Sequence, residues 1–141
     1  MGPSSALAQE QTLVSRLALI ENPQERLAAV VDRARKRPPL APELRTDAHR
    51  VQGCVSQVWL VGRLEQGRCR FELDAESVLV RGLALLLCDV YDGLAPSEIL
   101  AHSTEVLEAL QLRSQLSPTR QNGLDQVRRA IQAFAAQPAG A

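Results

Sequence analysis

Residues 55–74, VSQVWLVGRLEQGRCRFELD, decide the fold. Val58, Leu60 and Leu64 fall on one side of an extended chain, and Gln57, Trp59, Val61 and Arg63 on the other. The first half therefore predicts a strand from Val55 to Leu64 with two usable faces. In the second half Cys69, Phe71 and Leu73 alternate with Arg68, Arg70, Glu72 and Asp74, which is the pattern of a strand with one buried face. Glu65-Gln66-Gly67 between the halves is short enough for a hairpin loop, so the two strands run antiparallel. Gly62 marks a bulge or a close approach of another element.

Outward from this hairpin the period changes. From Ser77 to Tyr91 the chain is apolar nearly all round, which predicts a helix buried on most sides and ended by Asp92-Gly93. Upstream, Leu13, Leu17 and Ile20 recur at helical spacing. Asn22-Pro23 then supplies an N-cap and a first-turn proline for a second helix carrying Leu27, Val30, Val31 and Ala34. Pro38, Pro39 and Pro42 make residues 37–46 an extended connector over the surface. Downstream, short helices are expected at 96–102 and 105–110. A final helix, entered through Ser117-Pro118, presents Leu124, Val127, Ile131 and Phe134 to the core. The expected class is α+β: a small antiparallel sheet of about three strands packed against helices from both chain ends. A single domain is expected over residues 11–136, with a flexible N-terminus at 1–10 and a frayed C-terminus at 137–141.

Composition bounds the function. The chain has 141 residues, 45% apolar and only 3% aromatic, enough for one soluble domain with an aliphatic core. Lys and Arg number 16 and Asp and Glu 16, so there is no electrostatic footprint for nucleic acid. The longest apolar stretch, residues 78–88, is interrupted by Arg81 and is too short to span a bilayer core of about 30 Å. The first residues carry neither a basic lead nor an apolar run, and Ala6 breaks a myristoylation pattern, so a cytoplasmic location is expected. Three cysteines without C-x-x-C spacing, with only two histidines, predict no metal site. Charge is segregated: residues 33–50 hold six basic and two acidic groups, and residues 71–108 hold eight acidic and one basic. Such asymmetry either orients encounter with a partner or belongs to an ordinary solvated surface.

Cys54 follows Gly53 at the entrance to the first strand, where a loop presents a side chain. Cys69 and Cys88 occupy apolar positions of regular elements and read as inert core thiols. Physical chemistry leaves two readings of Cys54. It is either a packed thiol or a thiolate that attacks sulfur or another electrophile, which needs exposure, backbone freedom at Gly53 and a nearby positive or donor group. His49, five residues upstream, is a candidate base.

Four ordered motifs narrow the choice. They are Gly53-Cys54 followed by Ser56-Gln57-Val58-Trp59-Leu60, then Val80-Arg81-Gly82-Leu83, then Tyr91-Asp92-Gly93, and finally Leu116-Ser117-Pro118-Thr119-Arg120-Gln121-Asn122-Gly123-Leu124. In this order and spacing the chain closely resembles the SufE-like sulfur acceptors, which work with cysteine desulfurases in iron-sulfur cluster assembly. The resemblance runs from about Leu13 to Ala136. It implies a compact fold similar to the SufE/IscU type, with an acceptor cysteine at the tip of a loop beside the sheet; in this chain that residue is Cys54. It further implies that Cys54 takes persulfide sulfur from the desulfurase by transpersulfidation, raises that enzyme's turnover and delivers the sulfur to an iron-sulfur scaffold.

The implied partners are thus the desulfurase and the scaffold, with no nucleic acid and no membrane. Pyridoxal phosphate is expected on the desulfurase, and neither cofactor nor metal on this chain. The protein would be a sulfur-transfer accessory rather than a stand-alone enzyme. Arg120 matches the family's arginine and is implied to engage the desulfurase or to favour the Cys54 thiolate; the plain alternative is an ion pair near a helix start. Gly53, Ser56 and Gln57 are implied to support the loop, Gly123 to permit close packing, and Trp59 to pack beside the loop or touch the partner. The family does not require His49. Its acidic stretch after the second strand is reduced here to Asp74 and Glu76, for which loop mobility or partner contact is the expected role. Two other readings are an allosteric activator that docks without carrying sulfur, and a cluster or metal scaffold, against which the scarcity of Cys and His counts.

Overall fold

The computed structural model describes residues 5–137. Strands β1 (Val58–Glu65) and β2 (Arg68–Ala75) pair antiparallel, from Val58 opposite Ala75 to Glu65 opposite Arg68. Gln66 and Gly67 alone form the turn, with φ of 53° and 76°, the two-residue geometry whose twist suits a hairpin. Cys69, Phe71 and Leu73 point into the core, as their alternation requires.

Among the described residues the sheet has two strands, where about three were expected. The third segment is reduced to one bridge between Arg50 and Trp59, beside which the Val51 N–H donates to Val58 O at 2.8 Å. Pairing stops there because the chain before it is folded into two 3-10 turns, Pro42–Leu44 and Asp47–His49, and the chain after it turns away at Gly53.

Helix α3 (Val78–Tyr91) is the axis of the core, started by the Ser77 hydroxyl accepting from the Val80 N–H. Its apolar character on all sides follows from its neighbours: β2, α1 (Ala6–Leu17), α2 (Pro23–Arg35) and α6 (Pro118–Ala135) all pack on it. Asn22 caps α2 through its side chain, accepting from Gln24 and Glu25, with Pro23 in the first turn as expected. Short helices α4 (Pro96–Leu100) and α5 (Val106–Ala109) carry the chain from α3 to α6.

Helix α1 starts at Ala6, inside the ten residues expected to be flexible. Polar anchors, rather than an apolar stripe, hold this first turn and a half. Gln9 Nε2 donates to Val90 O at 2.8 Å and lies near the carbonyls of Asp89 and Asp92, satisfying acceptors that the end of α3 leaves open. Buried Glu10 accepts from the Thr104 hydroxyl and stands 2.9 Å from His102 Nε2. Of the C-terminal segment expected to fray, residues 138–141 lie outside the described residues.

Helix α6 passes beneath β1, and Gly62 is where they meet. A β carbon at Gly62 would lie 2.7–2.8 Å from the Phe134 ring, so the glycine marks a close approach, and the strand register runs through it without a bulge. Phe134 also meets Phe71 edge-on, with centroids 5.6 Å apart and planes at 77°.

Part of the segregated charge is paired within the chain. Arg33 and Arg37 reach Asp89; Arg45 and Arg81 reach Asp74, the latter at 3.1 Å. Asp74 is 3% exposed. Burial pushes its pKa up, yet hydrogen bonds from the Ala75 and Leu40 backbone and from Arg45 outweigh this and hold it below the usual carboxylate range. The connector is therefore fastened rather than merely laid over the surface: Leu40 is buried with Trp59 and Val61 on the outer face of the hairpin, and Arg45 stacks 5.5 Å above the Trp59 ring. No helix among the described residues is long and apolar enough to cross a membrane.

Candidate functional site

The loop from Gln52 to Gln57 is firm at its base. Val51 donates to Val58, the Gln57 N–H donates to Glu76 Oε1 at 2.8 Å, and the Glu76 N–H returns a bond to Gln57 O at 3.0 Å. Its tip rests on α6 through two longer, uncharged bonds. Asn122 Nδ2 donates to Gly53 O at 3.2 Å, and the Cys54 thiol donates to Gly123 O at 3.5 Å. Gly53 has φ +86°, and a β carbon there would crowd the Gln126 side chain at 3.1–3.2 Å. Two requirements thus coincide on glycine: a left-handed backbone and room for α6.

Cys54 is half-buried, whereas Cys69 and Cys88 are buried. The Cys54 side chain lines a cavity of about 300 Å³ closed by Ser56, the Ser77 cap of α3, and the Ser117 cap and Arg120 of α6. Beside it stand two exposed apolar side chains, Val55 at 81% and Val78 at 54%. Burial pushes the Cys54 thiol pKa up, and the Arg50 guanidinium pulls it partly back. The thiol is therefore mostly protonated at neutral pH, and it gains nucleophilicity when the loop is unburied or further positive charge is brought near. Burial raises Cys69 and Cys88 too, and neither lines this cavity.

The structure brings Cys54, Ser56 and Arg120 to one cavity and sets Gly53 beside it. Arg120 is exposed and has no ion-pair partner among the described residues, but the cation acting on the Cys54 thiol is Arg50. Gln57 contributes to the loop through its backbone, clamped by Glu76. Glu76 is thereby a loop fastener, while Asp74 belongs to the buried arginine pairing. His49 lines the neighbouring groove rather than the Cys54 cavity, its Nδ1 held between Leu44 O at 3.0 Å and the Thr46 hydroxyl. Trp59 packs on the far side of the hairpin. Gly123 touches Cys54 without crowding it: a β carbon there would sit 3.8 Å from Sγ, an ordinary contact. Sequence reasoning missed Arg50, Asn122 and Gln126. The last two share a helical face one turn apart on α6, a spacing that could have been matched to the loop; Arg50 gave no separate signal. No group of three Cys, His, Asp or Glu side chains that could hold a metal occurs among the described residues.

Comparison with known proteins fits this geometry. The profile of the SufE, Fe-S metabolism associated domain matches residues 11–135. An uncharacterized SufE-like protein of Synechocystis is 33% identical over 120 residues, covering 85% of this chain and 76% of that protein. The solution structure of a hypothetical protein from Thermus thermophilus superposes with a TM-score of 0.73 at 20% identity, covering 90% of this chain and 93% of that one, which establishes the shared fold. This chain belongs to the SufE family, and its role lies in Fe-S metabolism.

Proposed function

We propose that this SufE-family protein is a sulfur carrier: Cys54 takes persulfide sulfur from a cysteine desulfurase and passes it on for iron-sulfur cluster assembly. The observation that supports this most is the contrast among its thiols. Only Cys54 lines a cavity that opens to the surface, on a loop whose tip is held by two long neutral hydrogen bonds.

In this reading the Cys54 thiolate attacks the outer sulfur of the donor's cysteine persulfide. A new S–S bond forms to Cys54, the donor's S–S bond breaks, and the electron pair leaves on the donor thiolate, which takes up the proton that Cys54 gave up. No net oxidation occurs, because a thiol and a persulfide simply exchange owners. The pyridoxal phosphate that liberates sulfur from cysteine belongs to the desulfurase. Release of the Cys54–Gly123 contact would bring Sγ toward the donor, and removing the outer persulfide sulfur from the donor would raise desulfurase turnover. An iron-sulfur scaffold is the recipient class that this chemistry suits.

Mass spectrometry tests the reading. After incubation with a cysteine desulfurase and cysteine, without reductant, one added sulfur is expected on the Cys54 peptide of the native chain and none on Cys54→Ser. A Cys54→Ser protein that accepts sulfur normally overturns it. A native chain that stimulates the desulfurase without gaining sulfur identifies a docking activator instead.

A further inference from the structure

Arginine supplies nearly all the positive charge of this chain, and most of it is engaged. Carboxylates or backbone carbonyls hold the guanidinium groups of Arg26, Arg33, Arg37, Arg45, Arg81 and Arg113, among others. Among the described residues, the arginines whose guanidinium meets neither a carboxylate nor a carbonyl are Arg16, Arg50, Arg120 and Arg129. Three of these four stand around the Cys54 loop. Arg120 lines the Cys54 cavity, and Arg50 and Arg129 line a second, larger groove of about 530 Å³ on the other side of Gly53.

That groove runs between the 48–52 segment, β1 and the second half of α6. Its floor is apolar, formed by Leu60, Ala130 and Phe134 beside Gly62. No carboxylate lines it or the Cys54 cavity; Asp47 and Asp125 each lie one residue outside the groove lining and Glu76 one residue outside that of the cavity, and Asp125, which Arg113 and Arg128 pair, feels Arg129 only through space. Gln52 and Gln126 form its end toward the loop, and Gln126 packs against Gly53. A segment lying in the groove would therefore end beside the loop that carries the thiol. An apolar floor edged by guanidinium groups that make no intramolecular ion pair fits a segment that presents carboxylates at its edges and an apolar side chain toward the floor.

We propose that this groove docks an acidic segment of the sulfur-donating protein, Arg50 and Arg129 pairing with its carboxylates while its apolar side chain covers Leu60 and Phe134. The proposal rests on the sulfur-carrier reading for the identity of the donor. It assigns attachment to the groove and sulfur exchange to the Cys54 cavity, two adjoining surfaces with separable readouts.

The test is binding of the full chain to a cysteine desulfurase at low and at moderate salt, run beside the mass-spectrometric assay for sulfur on Cys54. The double reversal Arg50→Glu/Arg129→Glu is expected to raise Kd by roughly tenfold or more at low salt and to flatten its salt dependence. Arg16→Glu makes a charge change of the same sign outside both cavities and is expected to leave Kd unchanged. Cys54→Ser is expected to bind while gaining no sulfur. Unchanged circular dichroism and melting of the double reversal establish that it folds, and Arg129→Glu alone gives a second reading of the groove without touching Arg50. Native affinity in the double reversal overturns the groove proposal and leaves the carrier reading in place. Binding lost in the double reversal, with no sulfur ever found on native Cys54, does the opposite. A native chain that binds no desulfurase but self-associates through residues of this groove also overturns the proposal, and gives the surface to a second copy.

Discussion

Two faces of this small domain use the same residue type in opposite ways. On the side where α2 and its connector meet α3 and β2, each arginine has a carboxylate or carbonyl within reach, and Asp74 and Asp89 each bind two guanidinium groups. On the Cys54 side the guanidinium groups of Arg50, Arg120 and Arg129 face cavities with no acid in their walls. The difference lies in what surrounds the charge. An arginine beside a buried aspartate is part of the fold, whereas one beside a half-buried thiol and an apolar groove is available to another molecule. The thiols divide in the same way, with Cys69 and Cys88 packed into the core and Cys54 held by a single bond to a helix carbonyl.

The sharpest way to break this division is through the thiols. Cys54→Ser is expected to abolish sulfur uptake outright, while Cys88→Ala keeps it and loses stability as a core truncation does. The added sulfur read by peptide mass spectrometry decides this, and sulfur mapped to Cys69 or Cys88 would end the distinction between the faces. Stability of Cys54→Ser should stay within about 0.5 kcal/mol of native in urea melts, since the lost contact is one long bond at a loop.

Next in size is the effect of removing the acid from the paired face. Asp74→Asn leaves Arg81 and the half-exposed Arg45 without their shared carboxylate; breaking a fully buried pair typically costs about 3–5 kcal/mol, and solvent screening at Arg45 brings the expected loss to the lower end, about 2–3 kcal/mol. The contribution has a sign in pH. Asp74 titrates lower in the folded than in the unfolded chain, so its stabilisation is fully present above the ordinary Asp pKa of about 4 and is lost as pH falls below that through the lowered folded value. The gap between native and Asp74→Asn melting curves should therefore narrow as pH falls below about 4. In contrast, Arg120→Ala and Arg129→Ala should each change stability by less than about 0.5 kcal/mol, since neither makes an ion pair and Arg129 acts on Asp125 only through space. A loss at Arg129 as large as at Asp74 would contradict the contrast between the two faces.

Smaller again is the effect at the seam between the faces. Gly62→Ala places a methyl group 2.7–2.8 Å from the Phe134 ring, at the floor of the groove, and the ring must turn or shift to admit it. Overpacking of this kind typically costs about 1–3 kcal/mol. Equilibrium unfolding measures it, and an unchanged midpoint would mean that the Phe134 ring is not fixed against β1.

What the sequence revealed follows a physical rule. Patterns carried by local periodicity, such as the hairpin of residues 58–75, the apolar α3 and the Ser117-Pro118 start of α6, were legible because adjacent residues suffice to show them. The fastening of α1 from Ala6 was not, because Gln9 and Glu10 find their partners roughly eighty to ninety residues away and resemble solvated polar residues in isolation. Of the roughly three strands expected, the third shrank to one bridge because two 3-10 turns occupy the chain before Arg50. Cys54 was singled out through its Gly53 and through the family motif. Arg120, expected to engage the desulfurase or to favour the thiolate, lines the cavity; the cation that lowers the thiol's pKa is Arg50, placed by a bridge to Trp59 that no local pattern announces.

Arg50 supplies the finest test of the division, because it stands at the border, lining the groove while acting on the thiol. Burial raises the Cys54 pKa above that of an ordinary thiol and Arg50 opposes it, so alkylation by iodoacetamide at neutral pH should be slower than for free cysteine. The rate should climb with pH through and beyond the ordinary thiol value of about 8.5. Arg50→Gln removes the opposing charge and shifts that climb to still higher pH, lowering the rate near pH 8 by a few-fold at most, as expected for a partly solvated charge. Added salt should shrink the gap between native and variant, because it screens the charge of Arg50 but leaves the burial of Cys54 unchanged. Arg129→Gln, on the same groove but absent from the thiol's surroundings, should alkylate at the native rate. If Arg50→Gln does so too at low salt, burial alone sets the reactivity of Cys54, and the three unpaired arginines of this face serve docking only.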